Sequence, residues 1–229
     1  METNRVKLCE DIINTCLKMD TSGINQGTSG NLSVRYKNGF LITPSSMPYD
    51  EMKPEDIVEM NMDGEYVGKQ PSSEWRFHRD ILMNRKDINV VLHCHPINAT
   101  AIACHNKEIP AFHYIVGLAG GKNIRCAKYA TFGTQELSDN ALIALENRMA
   151  CLLGHHGMIC LGKTFKDAFF LGCEVESMSK IYVKALAIGN TNILSDEEMD
   201  KVVKQMERMS YGKGPEPEGS TDIAKPKSE

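Results

Sequence analysis

The sequence predicts a single-domain α/β protein. Three observations carry this expectation. Strand-period apolar runs alternate with helical stripes along the chain. No internal repeat or linker divides them. The composition, 41% hydrophobic and 24% charged over 229 residues, is that of an ordinary globular domain. A chain of this length buries most of the surface its unfolded form exposes, so its core closes without a disulfide or metal staple. Any metal is then functional before it is structural.

The elements follow in order. Apolar residues at Val6, Leu8, Cys9, Ile12, Ile13, Cys16 and Leu17 form the stripe of an amphipathic helix over residues 6–19, closed by Gly23. A Gly-rich turn, Gly27-Thr28-Ser29-Gly30-Asn31, leads into two alternating runs, 32–36 and 40–43, divided by Asn38-Gly39, a hairpin signal. Residues 56–62 and 66–67 flank Asp63-Gly64 in the same way. Ser72-Ser73 then opens a helix over 74–85 with Trp75, Ile81 and Leu82 on one side, and 89–95 is a buried strand stopped by Pro96. Residues 135–148 are helical, and 150–160 form two short strands bent around Gly154-His155-His156-Gly157. The longest helix covers 164–188, and Ser195 with Glu198 caps a last one running to about Met209. From Gly212 the chain is rich in Pro, Gly and charge, so the folded domain is expected to span 1–211, with 212–229 a disordered tail.

Charge and apolar pattern exclude several classes. Lys+Arg 26 against Asp+Glu 30 leaves a net charge of −4 with no basic block to track a phosphate backbone, so nucleic acid is not an expected partner. No apolar stretch approaches the roughly eighteen residues a bilayer requires. The opening residues do not read as a secretory leader, so the protein is expected to stay in the cytoplasm. The eight cysteines contain no C-x-x-C pair and read as small buried hydrophobes in a reducing compartment.

His93-Cys94-His95 is the sharpest chemical feature. Side chains two apart on a strand share a face, so two imidazoles can close on one ion. The Gly-flanked pair His155-His156 can present a third from a tight turn, and spacing leaves open which of the two it is. Three nitrogen ligands with an open position describe catalytic rather than structural zinc. A histidine alone in a core strand is ordinarily just a satisfied polar group, so the convergence is what makes this a site. Pro71-Ser72-Ser73-Glu74-Trp75 offers an anion the hydroxyls and free amides of a helix start, and the turns 27–31 and 43–46 can add donors. Glu74 would lie beside both ion and anion, as a ligand in a resting site and as a general base once substrate arrives.

Several blocks then take on a shared meaning. Asn25-Gln26-Gly27-Thr28-Ser29-Gly30-Asn31-Leu32-Ser33-Val34-Arg35-Tyr36, Leu41-Ile42-Thr43-Pro44, Pro71-Ser72-Ser73-Glu74-Trp75-Arg76-Phe77-His78, Ala130-Thr131-Phe132-Gly133-Thr134 and His155-His156-Gly157 resemble, in this order, segments of the class II aldolase and adducin-head superfamily. The resemblance runs from about residue 4 to 211. It implies a central mixed, mostly antiparallel sheet covered by helices in a three-layer sandwich, assembled as a homotetramer with sites between subunits. It further implies one Zn2+ per subunit on Glu74, His93, His95 and His155, choosing His155 over His156, with Glu74 also the catalytic acid/base. Gly30, Asn31, Ser45, Ser46, Ser72 and Ser73 are assigned to a sugar phosphate. Tyr114 is implied to reach the site of a neighbouring subunit, and Tyr211 to be a mobile C-terminal catalytic residue.

The implied activity is reversible cleavage of a ketose 1-phosphate, L-fuculose 1-phosphate or a close deoxyketose phosphate, to dihydroxyacetone phosphate and a small aldehyde such as L-lactaldehyde. Rivals within the superfamily are a pentulose-phosphate 4-epimerase, a methylthioribulose-1-phosphate dehydratase and a non-catalytic adducin-like binding module. Residues 112–121 lack the carboxylate the epimerase needs, and adducin-like heads lack the zinc histidines.

Overall fold

The computed structural model describes residues 2–209 and Tyr211, with side chains from residue 4; the expected tail 212–229 lies outside the described residues. The chain opens with α1 (Glu2–Thr21), then β1 (Asn31–Tyr36), β2 (Gly39–Ile42), β3 (Val58–Asn61) and β4 (Tyr66–Val67). α2 (Trp75–Asn84), β5 (Val90–Cys94), α3 (Ile97–Ala103), β6 (Cys126–Ala127) and α4 (Gln135–Ala144) follow. β7 (Ala150–Leu153), β8 (Gly157–Gly162), α5 (Phe165–Ile188) and α6 (Asp196–Arg208) complete the order. The strands form one sheet in the order β4-β3-β2-β1-β5-β8-β7-β6, antiparallel throughout except for β6 beside β7. This is the mixed, mostly antiparallel sheet that the sequence resemblance implies.

Period-2 alternation sorts side chains into two cores. Leu32, Val34, Val90, Leu92, Cys94, Met158 and Cys160 point to one face, where α1, α3 and α5 supply Ile12, Ala99 and Val175. Phe40, Ile42, Val91, Ile159 and Leu161 point to the other, against Phe77 and Ile81 of α2 and Leu137 and Ala141 of α4. Helices on both faces of the sheet make the three-layer sandwich. Among the described residues no helix is long and apolar enough to cross a membrane.

Local signals mostly hold. Thr164 Oγ1 accepts from the Asp167 N–H while Asp167 Oδ2 accepts from the Thr164 N–H, a reciprocal cap that opens α5. Ser195 Oγ likewise accepts from the Glu198 N–H at the start of α6. Periodicity does not disclose α3 and β6, because 7 and 2 residues are too few to establish a period. The first hairpin differs in detail: Tyr36 pairs with Gly39, so the turn is Lys37-Asn38, with Lys37 in the left-handed region at φ 49°. Gly39 is instead required inside β2, where a Cβ would overlap the Met60 carbonyl oxygen of β3. Gly39→Ala is therefore expected to cost about 1–3 kcal/mol or more in overpacking strain. A thermal-unfolding midpoint equal to that of the parent chain would contradict this.

Candidate active site

β1 and β5 lie side by side at the centre of the sheet, with Asn31 opposite His93. Both residues face α2, whose N-cap is Glu74. An N-cap carboxylate ordinarily accepts from the first-turn amides. Glu74 makes no such bond, and its side chain turns inward to the histidines. Oε2 lies 3.0 Å from His93 Nε2, and Oε1 lies 3.1 Å from His156 Nε2. His95, just past the end of β5, places its Nε2 2.8 Å from that of His93. The rings of His93, His95 and His156 stand 4.7–4.8 Å apart and 72–73° to one another, nearly threefold about a common centre.

The cluster holds His156 where the family resemblance implied His155. The β7–β8 turn places His155 in the left-handed region at φ 54° and swings its ring to the exposed rim. There Asn106 Nδ2 donates to His155 Nε2 over 2.9 Å, and the ring stands edge-on to Tyr129. That nitrogen is occupied away from the centre. His156, next in the chain, points inward, and the metal-capable cluster among the described residues is His93, His95 and His156.

The donor set fits a divalent cation. His93 Nδ1 donates to the Met158 carbonyl over 2.8 Å, which leaves its Nε2 as a lone pair aimed at the cluster. A facing His95 nitrogen at 2.8 Å is repulsive unless a proton or cation intervenes. Burial beside the His93 and His156 rings pushes His95 down to about 3, which disfavours the proton. Burial opposes ionisation of Glu74, yet the His93 and His156 rings facing its two oxygens outweigh it, so the carboxyl stays well below its ordinary range. Glu74 Oε1 is buried without a well-aligned hydrogen bond. Converging imidazole lone pairs and an ionised carboxylate are the donors that a divalent metal neutralises.

Above this cluster opens a cleft of about 460 Å³. Gly30, Asn31, Ser45, Ser46, Ser72 and Ser73, all singled out from sequence, line it together with Glu74, His95, His155 and His156. Gly30 is obligatory because a Cβ would meet Asn25 Oδ1 at 2.6 Å and the His93 carbonyl at 2.8 Å. The Tyr49 hydroxyl donates to the Gly30 carbonyl over 2.7 Å and pins that turn. Ser46 adopts φ 56°, a left-handed conformation that glycine takes more readily. The amides of Ser45 and Ser72 are spent on the carbonyls of Gln70 and Thr43, tying the two loops together. What these two serines offer an anion is hydroxyl rather than amide.

Tyr114 and Tyr211 are not brought to this cleft. They line a separate cavity against α6, where the hydrogen bond that Tyr211 donates to Tyr114, with burial behind it, raises the Tyr211 phenol. Residues that sequence reasoning gave no role include Tyr129 and Phe132 on the cleft wall and His78 beneath it. The Glu74 to His78 spacing, one helical turn, was the available signal for the last.

Similarity to known proteins agrees with this geometry. The model of the class II aldolase and adducin N-terminal domain matches residues 10–183. A 5-methylthioribulose-1-phosphate/5-deoxyribulose-1-phosphate aldolase of Rhodospirillum rubrum is 47% identical over 213 residues, 93% of this chain and 96% of that one. An L-fuculose phosphate aldolase of Escherichia coli is 46% identical over 214 residues, 93% and 98% of the two chains. A solved L-fuculose 1-phosphate aldolase superposes with a TM-score of 0.85 at 38% identity, covering 88% of this chain and 96% of its own. With an imidazole–carboxylate cluster under a hydroxyl-lined cleft and relatives of this identity over nearly their whole length, the chain belongs to the class II aldolase and adducin N-terminal domain family and is a class II, metal-dependent aldolase.

Proposed function

We propose that this aldolase cleaves a ketose 1-phosphate, L-fuculose 1-phosphate or a 5-deoxy- or 5-methylthiopentulose 1-phosphate, to dihydroxyacetone phosphate and a small aldehyde. The observation that carries the reading is the placement of His93, His95, His156 and Glu74 at the floor of a cleft walled by serine hydroxyls. Zinc suits a donor set dominated by imidazole nitrogen, one ion per subunit. When bound, such an ion supplies Lewis-acid stabilisation of the charge that builds on the ketose oxygens as C3–C4 breaks.

The chain's own residues do the rest. Ser45, Ser46, Ser72 and Ser73, with Gly30 and Asn31, hold the phosphate and so orient the distant reacting carbons. As C3–C4 breaks, the C4 hydroxyl gives up one proton and C3 gains one; Glu74, having taken up a proton, delivers it to C3 through Oε1, the oxygen that Asn31 leaves free, and takes it back in the synthetic direction. Tyr114 serves the departing aldehyde oxygen of a neighbouring subunit. It is 46% exposed beside Tyr211 and away from its own chain's cleft, a placement that supports action across a homotetramer interface. The eight free cysteines support a reducing, cytoplasmic setting.

The test is a cleavage assay of the zinc-loaded chain on L-fuculose 1-phosphate, 5-deoxyribulose 1-phosphate and 5-methylthioribulose 1-phosphate, scoring dihydroxyacetone phosphate. At least one is expected to be cleaved, with activity lost to a chelator and restored by zinc. Dehydration or epimerisation without dihydroxyacetone phosphate, or turnover that ignores the chelator, would overturn the reading.

A further inference from the structure

Beneath the imidazole cluster, four buried side chains form one hydrogen-bonded file that ends on Glu74. Ser33 Oγ lies 2.7 Å from His78 Nδ1, His78 Nε2 lies 2.6 Å from Asn31 Oδ1, and Asn31 Nδ2 donates to Glu74 Oε2 over 2.9 Å. Ser33 and His78 are fully buried, and Asn31 and Glu74 are each 5% exposed. Two periodicities create the file. Asn31 and Ser33, two apart on β1, share the face toward α2; Glu74 and His78, one turn apart, share the side of α2 toward β1.

The direction of every bond follows from the last one. An ionised carboxylate only accepts, so Asn31 must turn its Nδ2 toward Glu74, which leaves its Oδ1, another acceptor, facing His78. His78 therefore carries its proton on Nε2. Its Nδ1 is left to accept, and the Ser33 hydroxyl donates to it. Each N–H and O–H in the file points toward Glu74. His78 itself does not line the cleft, whereas Asn31 does, so any influence of His78 on substrate passes through Asn31.

We infer that His78 is a positioning residue for the acid/base group. By donating from Nε2 it locks the Asn31 amide, which holds Glu74 Oε2 in place and leaves Oε1 as the oxygen that exchanges a proton with substrate. This inference rests on the acid/base role proposed for Glu74.

Two substitutions separate positioning from packing. Asparagine places its amide near the Nδ1 position of histidine and glutamine near the Nε2 position. His78→Asn thus keeps a partner for Ser33 but loses the donor to Asn31, and His78→Gln keeps that donor. On the zinc-loaded chain, with whichever of the three ketose 1-phosphates is cleaved fastest, His78→Asn is expected to lower kcat about 10–100-fold while KM moves less than about threefold. His78→Gln is expected to recover most of the loss. Equal losses in both variants, or a change in KM alone, would overturn the inference. Glu74→Gln, assayed alongside, isolates the reading it rests on: normal turnover there removes the acid/base role, whereas an inactive Glu74→Gln with matching His78 variants removes only the positioning. A readout independent of any variant's folding is nitrogen NMR of the metal-free, 15N-histidine-labelled chain. His78 is expected as the neutral tautomer protonated at Nε2; protonation at Nδ1 would refute the file's direction.

Discussion

His156→Ala is expected to abolish stoichiometric metal binding and cleavage together, while His155→Ala leaves the metal in place. The two residues are adjacent and chemically identical, so the contrast isolates geometry. His156 Nε2 shares one centre with His93, His95 and the Glu74 carboxylate. His155 Nε2 is engaged by Asn106 at the exposed rim. Loss of Lewis-acid stabilisation worth several kcal/mol corresponds to a rate loss of about a thousandfold or more. Metal analysis of the purified variants decides the matter. Full metal content in His156→Ala, or loss of metal in His155→Ala alone, would show that the turn presents the other imidazole.

Glu74→Gln is expected to lower kcat by about 10²–10⁴-fold, the usual contribution of a positioned acid/base group, with a much smaller change in KM. The substitution keeps side-chain volume at a 5% exposed site, so packing loss does not explain such a drop. Near-normal kcat would assign proton transfer to another residue. An unchanged kcat with a large rise in KM would make Glu74 a binding group only.

Much of this protein is readable along its chain, and what is readable is local. The strands flanking the two hairpins, the capped α5 and α6 and the buried strand bearing His93 all follow from period and turn chemistry acting over a few residues. The loops that hold Gly30, Ser45 and Ser72 are also visible as clusters of small residues, and the fold brings them to one cleft. Shorter pieces escape. β6 is two residues long and exists because β7 offers it a parallel partner, and the need for Gly39 arises from a strand twenty residues further on.

The choice between His155 and His156 belongs to the same class. From sequence alone the β7–β8 turn is expected to offer an imidazole to the pair on β5. Sequence also names carboxylate, hydroxyls and imidazoles as the candidate groups, and the fold gathers them around one cleft. Only the folded chain decided which neighbour turns inward, that Ser45 and Ser72 spend their amides on each other's loops, and that Tyr114 stands apart from its own cleft. The physical reason is range: periodicity and caps are set by contacts within one or two turns of chain, whereas the direction of a side chain in a tight turn is set by the backbone dihedral that distant packing permits.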